Sequence, residues 1–153
     1  MSQMTLSEIS DRLEIAELVN AYAIHIDLFQ IDEWVNVFAE EAEFDEREFG
    51  TGLHSGHAGI GAYGRLLSAT VEHAAHLMTN LMITDLRSTS ANGIVFALVE
   101  ALMRTGERQR WQVRYEDRYV KIDGHWKIQE RVLRKSLPAE RVLTVGEDSA
   151  RGS

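Results

Sequence analysis

No cysteine occurs among the 153 residues. That excludes a disulfide framework, a thiolate zinc site and a cysteine nucleophile. Proline is nearly as scarce. The single one, Pro138, opens a polar tail that runs to "GEDSARGS" and reads as frayed. No run of about 18 apolar residues is present, the length that a membrane-crossing helix needs, and the opening "MSQMTLSEIS" lacks the basic-then-apolar pattern of a secretion signal. The expected compartment is the cytoplasm. Positive charge is also in short supply, with 16 Lys and Arg against 24 Asp and Glu and a net charge of -8. A protein that tracks phosphates needs a basic face. The balance argues against nucleic acid and suits a small, neutral or weakly charged ligand, although charge alone selects none, and no membrane partner is expected.

What is present is a globular composition, 44% hydrophobic and 26% charged, of a length suited to one domain with a buried core. Residues 1–137 read as that domain and 138–153 as the tail. "SEISDRLEIAELVNAYAIHID" carries Ile9, Ile15, Leu18, Val19, Tyr22 and Ile26 at helical spacing. "QIDEWVNVFAEEAEF" reads as a second, short helix with Trp34, Val37 and Phe38 facing in. "AEFDER" suggests a hairpin or irregular strand, and the Gly-rich "FGTGLHSGH" a flexible flap. "AGIGAYGRLLSATVE" predicts a third helix, weakened by Gly61 and Gly64.

From residue 74 the pattern changes. "HLMTNLMITDL", "NGIVFALVEALMRT", "RQRWQVRYEDRYVKI" and "HWKIQERVLRKS" read as four long strands joined by turn-rich links, and Asp123-Gly124 is a strong hairpin signal. Strict alternation puts Trp111, Val113, Tyr115, Asp117 and Tyr119 on one face of the third of these strands. Helices followed by antiparallel strands predict an α+β layer fold. Long strands coil, so the sheet can curl around the first helices and leave a concave interior suited to a small molecule.

Two polar residues interrupt this apolar plan. Asp27 flanks the inward stripe of the first helix, and His76 stands at the start of the expected sheet. Taken singly, each reads as an outward-turned or internally satisfied group. Taken together, they form a candidate catalytic pair. A carboxylate bonded to one imidazole nitrogen sets the tautomer, frees the other nitrogen as a base and stabilises the cation that forms.

At these residues the chain resembles the SnoaL-like branch of the nuclear transport factor 2-like superfamily, which includes scytalone dehydratase, bile-acid 7α-dehydratase and the lindane dehydrochlorinase. The likeness rests on "LVNAYAIHIDLFQIDEW", "HLMTNLMI" and "YEDRYVKIDGHWKI" and covers roughly residues 6 to 137. It implies a cone-shaped fold, no cofactor, and a homo-oligomer, either dimer or trimer. It also implies a lyase, or a related isomerase or cyclase, in which His76 removes a proton from carbon while Asp27 orients it. Tyr22 falls where those relatives carry an auxiliary polar residue. It stands five residues from Asp27, about 140° around an ideal helix, so both reach one pocket only if the helix ends or distorts near His25. In scytalone dehydratase a second active-site histidine lies on the next strand; here Glu100 and Ala101 occupy that region.

Further candidates for substrate contact are His25 at the entrance, Met78, Phe96, Trp111 and Tyr115 on the walls, and Glu100 within an apolar run. Arg131 and Arg134 suit a solvated face better than an anion site. His54 and His57, like His73 and His76, spell H-x-x-H, but without the glutamate of a zinc-protease helix, and no metal is expected. Two alternatives stand beside the dyad: a binding or subunit-type module that needs no catalytic pair, and enolisation by Asp27 alone with His76 turned away.

Overall fold

A computed structural model describes residues 3–137 in full, together with the backbone of residues 140 and 141. The first helix, α1, spans Leu6–Asp27 and opens on a capping box. Thr5 accepts from the Glu8 backbone N–H at 3.2 Å, and the Thr5 N–H donates to the Glu8 carboxylate at 2.7 Å. Its inward stripe is Ile15, Val19, Tyr22, Ala23 and Ile26, while Ile9 is 38% exposed because it lies roughly 100° round the helix from that stripe.

The second helix, α2 (Ile31–Asn36), is shorter than the pattern suggests. Trp34, Val37 and Phe38 are buried as expected. From Phe38 the chain becomes a strand, β1 (Phe38–Glu46), whose inner face carries Ala42 and Phe44. The Gly-rich stretch is a short strand rather than a flap. This strand, β2 (Gly52–Ser55), pairs antiparallel with β1, and Gly50 and Gly52 supply the left-handed backbone that turns the chain between them. Helix α3 (Gly56–Thr70) follows, and Gly64 is needed in it. A Cβ there would meet the Trp34 ring at 3.0 Å, so the glycine lets α3 seat directly on α2.

Strands β3 (Val71–Leu86), β4 (Ser90–Met103), β5 (Arg108–Ile122) and β6 (His125–Lys135) are the four long ones. β3 starts five residues earlier than the apolar run indicates, so His76 lies within the strand and not at its threshold. Asn80 adopts a positive φ at a register shift in β3, which bends it. The β5–β6 hairpin closes on Asp123 and Gly124, both at positive φ. The main path of the sheet runs β2-β1-β6-β5-β4-β3; every pairing along it is antiparallel except β1 with β6, and the sheet curls without closing. A two-residue strand, β7 (Glu140–Arg141), pairs with β5, so part of the presumed tail joins the sheet. Residues 142–153 lie outside the described residues.

Two buried charged clusters, one around Asp11 and one around Arg131 and Asp117, brace the fold. Asp11 of α1 accepts from Lys121 Nζ at 2.8 Å and Trp126 Nε1 at 2.9 Å, clamping the helix to the β5–β6 hairpin. Arg131, read from sequence as solvated, is fully buried. Its guanidinium grips Asp117 through two bonds of 2.8 and 2.7 Å, and Tyr119 donates to the same carboxylate at 2.6 Å. The guanidinium also lies over the rings of Tyr22 and Tyr115, at 4.1 and 4.5 Å from their centroids. Arg134, by contrast, is exposed beside Glu116.

Candidate active site

Between the helices and the inner face of the sheet lies a cavity of about 360 Å³. Its wall is mostly apolar, with Ile26, Trp34, Phe44, Val99, Trp111 and Leu133 among its residues, and its polar groups are few: Tyr22, Glu46, Thr51, Tyr63, His76, Gln109 and Tyr115. An apolar enclosure with a few convergent polar groups is the usual form of a small-molecule site.

His76 reaches this cavity because Ala74 and His76 share the inward face of β3. β3 is an edge strand of the main path, and among the described strands it pairs with β4 alone. Asp27, the last residue of α1, meets the other edge. One carboxylate oxygen accepts from the His76 backbone N–H at 2.7 Å, and the other lies 2.5 Å from the ring Nδ1. The side chains of Asp27 and His76 are 19% and 12% exposed. Since the carboxylate can only accept, Nδ1 carries the proton in this contact and Nε2 is left as the free nitrogen.

Tyr22 also lines the cavity, with its ring perpendicular to that of His76 and the centroids 6.1 Å apart. The helix neither ends early nor distorts near His25. Tyr22 and Ile26, four residues apart, face the cavity together, whereas Asp27 stands behind it and supports His76 from outside the wall. The 140° separation is therefore satisfied without a break. Burial pushes the Tyr22, Tyr63 and Tyr115 hydroxyls far above the ordinary phenol range, so all three are neutral hydrogen-bonding groups.

Trp111 and Tyr115 line the wall, but four other candidates do not. His25 bonds Gln30 through Nδ1 at 2.8 Å outside the cavity. Met78 shares the inward face of β3 but packs into the core beyond the cavity. Phe96 and Glu100 lie on the outer face of β4. Phe96 is 39% exposed, and Glu100 bonds Arg108 and Arg110 at 2.7 Å each. The inner face of β4 carries smaller side chains (Ala91, Val95, Ala97, Val99, Ala101) because the helices and the cavity need that room. The larger side chains, which suggested a pocket wall, face out.

Sequence reasoning missed Glu46 on the cavity wall. Its side chain is 12% exposed, Thr51 Oγ1 donates to it at 3.0 Å, and the Tyr63 hydroxyl hydrogen-bonds it. Burial raises its carboxyl above the ordinary range against the pull of these donors and of His76. His54, stacked on Tyr63 with centroids 3.9 Å apart, points Nε2 toward Glu46 at 4.0 Å; burial holds this imidazole below its usual range. The signal was in the sequence: once Ala42 and Phe44 face inward along β1, Glu46 must follow. Elsewhere His57 Nε2 bonds the Phe38 carbonyl at 2.9 Å and His73 is exposed. Among the described residues, no group of three or more His, Asp or Glu side chains is arranged to hold a metal ion. None of the described helices is long and apolar enough to cross a membrane.

The chain is 27% identical over 137 residues to the uncharacterized protein Rv2910c of Mycobacterium tuberculosis, covering 86% of this chain and 89% of that protein. A solved structure described as a candidate aromatic ring hydroxylase from Novosphingobium aromaticivorans superposes with a TM-score of 0.85 at 28% identity, over 92% of this chain and 96% of that one. Hexachlorocyclohexane dehydrochlorinase LinA-type3 from Novosphingobium barchaimii LL02 shares the fold, with a TM-score of 0.81 at 20% identity over 92% and 95% of the two chains. The SnoaL-like domain model matches residues 7–132. Helices that wall off a cavity against a curled sheet, and a sequence match along almost all of both, place this chain in the SnoaL-like domain family, within the nuclear transport factor 2-like superfamily.

Proposed function

We propose that the protein is a cofactor-independent lyase, or a related isomerase or cyclase, acting on a small, largely apolar cyclic molecule. The observation that carries this reading is the contact between Asp27 and His76 at the wall of an apolar cavity. His76 Nε2 takes a proton from a carbon activated by a neighbouring carbonyl. The imidazolium that forms gives its Nδ1 proton in a hydrogen bond to Asp27, whose negative charge stabilises it. Tyr22 and Tyr115, neutral at working pH, donate to the oxygen on which charge develops. The partly enclosed apolar wall strengthens each of these interactions by excluding water.

A binding module needs no such paired contact, and enolisation by Asp27 alone would need a carboxylate facing the cavity. Asp27 stands behind His76, which favours the dyad. The relatives described as a ring hydroxylase and a hexachlorocyclohexane dehydrochlorinase make alicyclic and aromatic rings the class to screen first. The outer face of β3 and β4 exposes Leu77 and Phe96, and we read it as the surface through which the chain self-associates; light scattering after gel filtration checks this.

The test is a thermal-shift screen with alicyclic, steroid and polyketide compounds, followed by solvent-deuterium exchange into each ligand found. Exchange at the carbon next to a carbonyl, lost in His76→Asn, is the expected result. Ligands that bind with no exchange would leave the binding-module reading in its place.

A further inference from the structure

The proposed base accounts for one half of an elimination, and the same cavity holds a group that the base does not use. Glu46, at the end of β1, lines the same cavity as His76, whose strand β3 is separated from β1 by three strands along the sheet. Around it stand Thr51 and Tyr63, both donating, and the unpartnered Nε2 of His54 at 4.0 Å. Tyr22, Tyr115 and His76 are the other titratable groups lining it among the described residues, and no described lysine or arginine lines it. A carboxyl with only neutral donors around it, lining the same small cavity as a base, is placed to supply a proton where the base removes one.

We propose that Glu46 is the general acid of this site and that the substrate therefore carries a hydroxyl as its leaving group, in a β-hydroxy carbonyl compound that loses water. This rests on the reading of His76 as the base. A halide departs as a stable anion and needs no acid. Hydroxide does, because it is the conjugate base of water, whose pKa is about 15.7. In the step, His76 Nε2 takes the proton next to the carbonyl and the electron pair becomes the carbon–carbon double bond. The carbon–oxygen bond breaks, and the departing oxygen takes the Glu46 proton to leave as water. Glu46 is then a carboxylate and His76 an imidazolium. The proton returns from one to the other through solvent after product release, and nothing is oxidised or reduced. Burial shifts Glu46 toward its carboxylic acid form before the step.

Two measurements test this. The first needs no ligand: the Glu46 carboxyl carbon is titrated by NMR in the intact chain, with Glu46→Gln to assign its signal. A midpoint above the ordinary carboxylate range is expected; an ordinary or lowered midpoint overturns the proposal whatever becomes of the dyad. The second compares 3-hydroxycyclohexanone with 3-chlorocyclohexanone, each over its uncatalysed background. Glu46→Gln should lose water elimination by at least about a hundredfold and lose chloride elimination far less, with deuterium exchange at carbon 2 retained. Equal loss for both leaving groups, or no loss for either, overturns the assignment. Wild-type protein that exchanges deuterium but releases no water also overturns it. Absence of exchange in the wild type instead defeats the reading of His76 as base, and the acid's role falls with it.

Discussion

Asp27 holds His76 by both its backbone and its ring, through bonds of 2.7 and 2.5 Å from the two oxygens of one carboxylate. The backbone bond is available because β3 is an edge strand of the main path, with no neighbour among the described strands to take the His76 N–H. A helix end thus caps a sheet edge and orients an imidazole with the same group.

Replacing Asp27 by Asn separates these two tasks. The amide oxygen can still accept from the backbone, but its NH₂ then faces Nδ1 and forces the proton onto Nε2, the nitrogen that acts as base in the proposed mechanism. The expected outcome is a loss of about 10³- to 10⁴-fold in kcat with little change in melting temperature. Steady-state rates and a thermal melt, measured on one preparation, check it.

Tyr22→Phe removes a neutral hydroxyl from the cavity wall and keeps the ring that packs against Trp34, Phe38 and Phe44. If that hydroxyl stabilises charge on substrate oxygen, kcat falls by about 10²-fold, while stability changes by about 1 kcal/mol or less. A variant with unchanged kcat would leave Tyr22 as a core residue.

The Arg131–Asp117 pair has no exposure on either side chain. Asp117→Ala leaves a buried guanidinium with no counter-charge, and Tyr119 without its acceptor. A loss of about 3–5 kcal/mol is expected, read from urea unfolding. Because the guanidinium is stacked on Tyr22 and Tyr115, activity should fall as well, through movement of those rings.

Two carboxyls give opposite dependences of stability on pH. Hydrogen bonding to Lys121 lowers the Asp11 carboxyl below its ordinary value. The unfolded chain then binds a proton more readily, so this contribution is present above about pH 4 and is lost as pH falls through the folded value. Glu46 is raised by burial. Its folded form keeps a proton that the unfolded chain has released, so stability declines as pH rises from about 4.5 through the folded value. Denaturant unfolding across pH should show Asp11→Asn flattening the acid side and Glu46→Gln flattening the neutral side.

Much of this arrangement was legible along the chain. Strand alternation assigned Val113, Tyr115, Asp117 and Tyr119 to one face, and all four are buried there. Asp-Gly marked the β5–β6 turn. Arg131 was misread because no local pattern tells a charged residue paired across two strands from one that meets water. Phe96 was misread because a large side chain suggests a pocket wall, and Glu100 because a polar residue within an apolar run suggests a pocket group, whereas here the packed side needed small side chains and both face out.

The periodicities of 3.6 and 2, the turn residues and the charge balance are local properties, and from them follow the elements, their order and the class of fold. Which edge of the sheet receives the end of α1, and which carboxyl shares the cavity with His76, depend on contacts between residues as far apart as 27 and 76, or 46 and 63. Such contacts are selected by the packing of whole layers, through burial that no short window of sequence records. The dyad could be anticipated as a pair of anomalous residues. That Asp27 stands behind the histidine, and that Glu46 lines the same cavity, was decided only when the sheet curled.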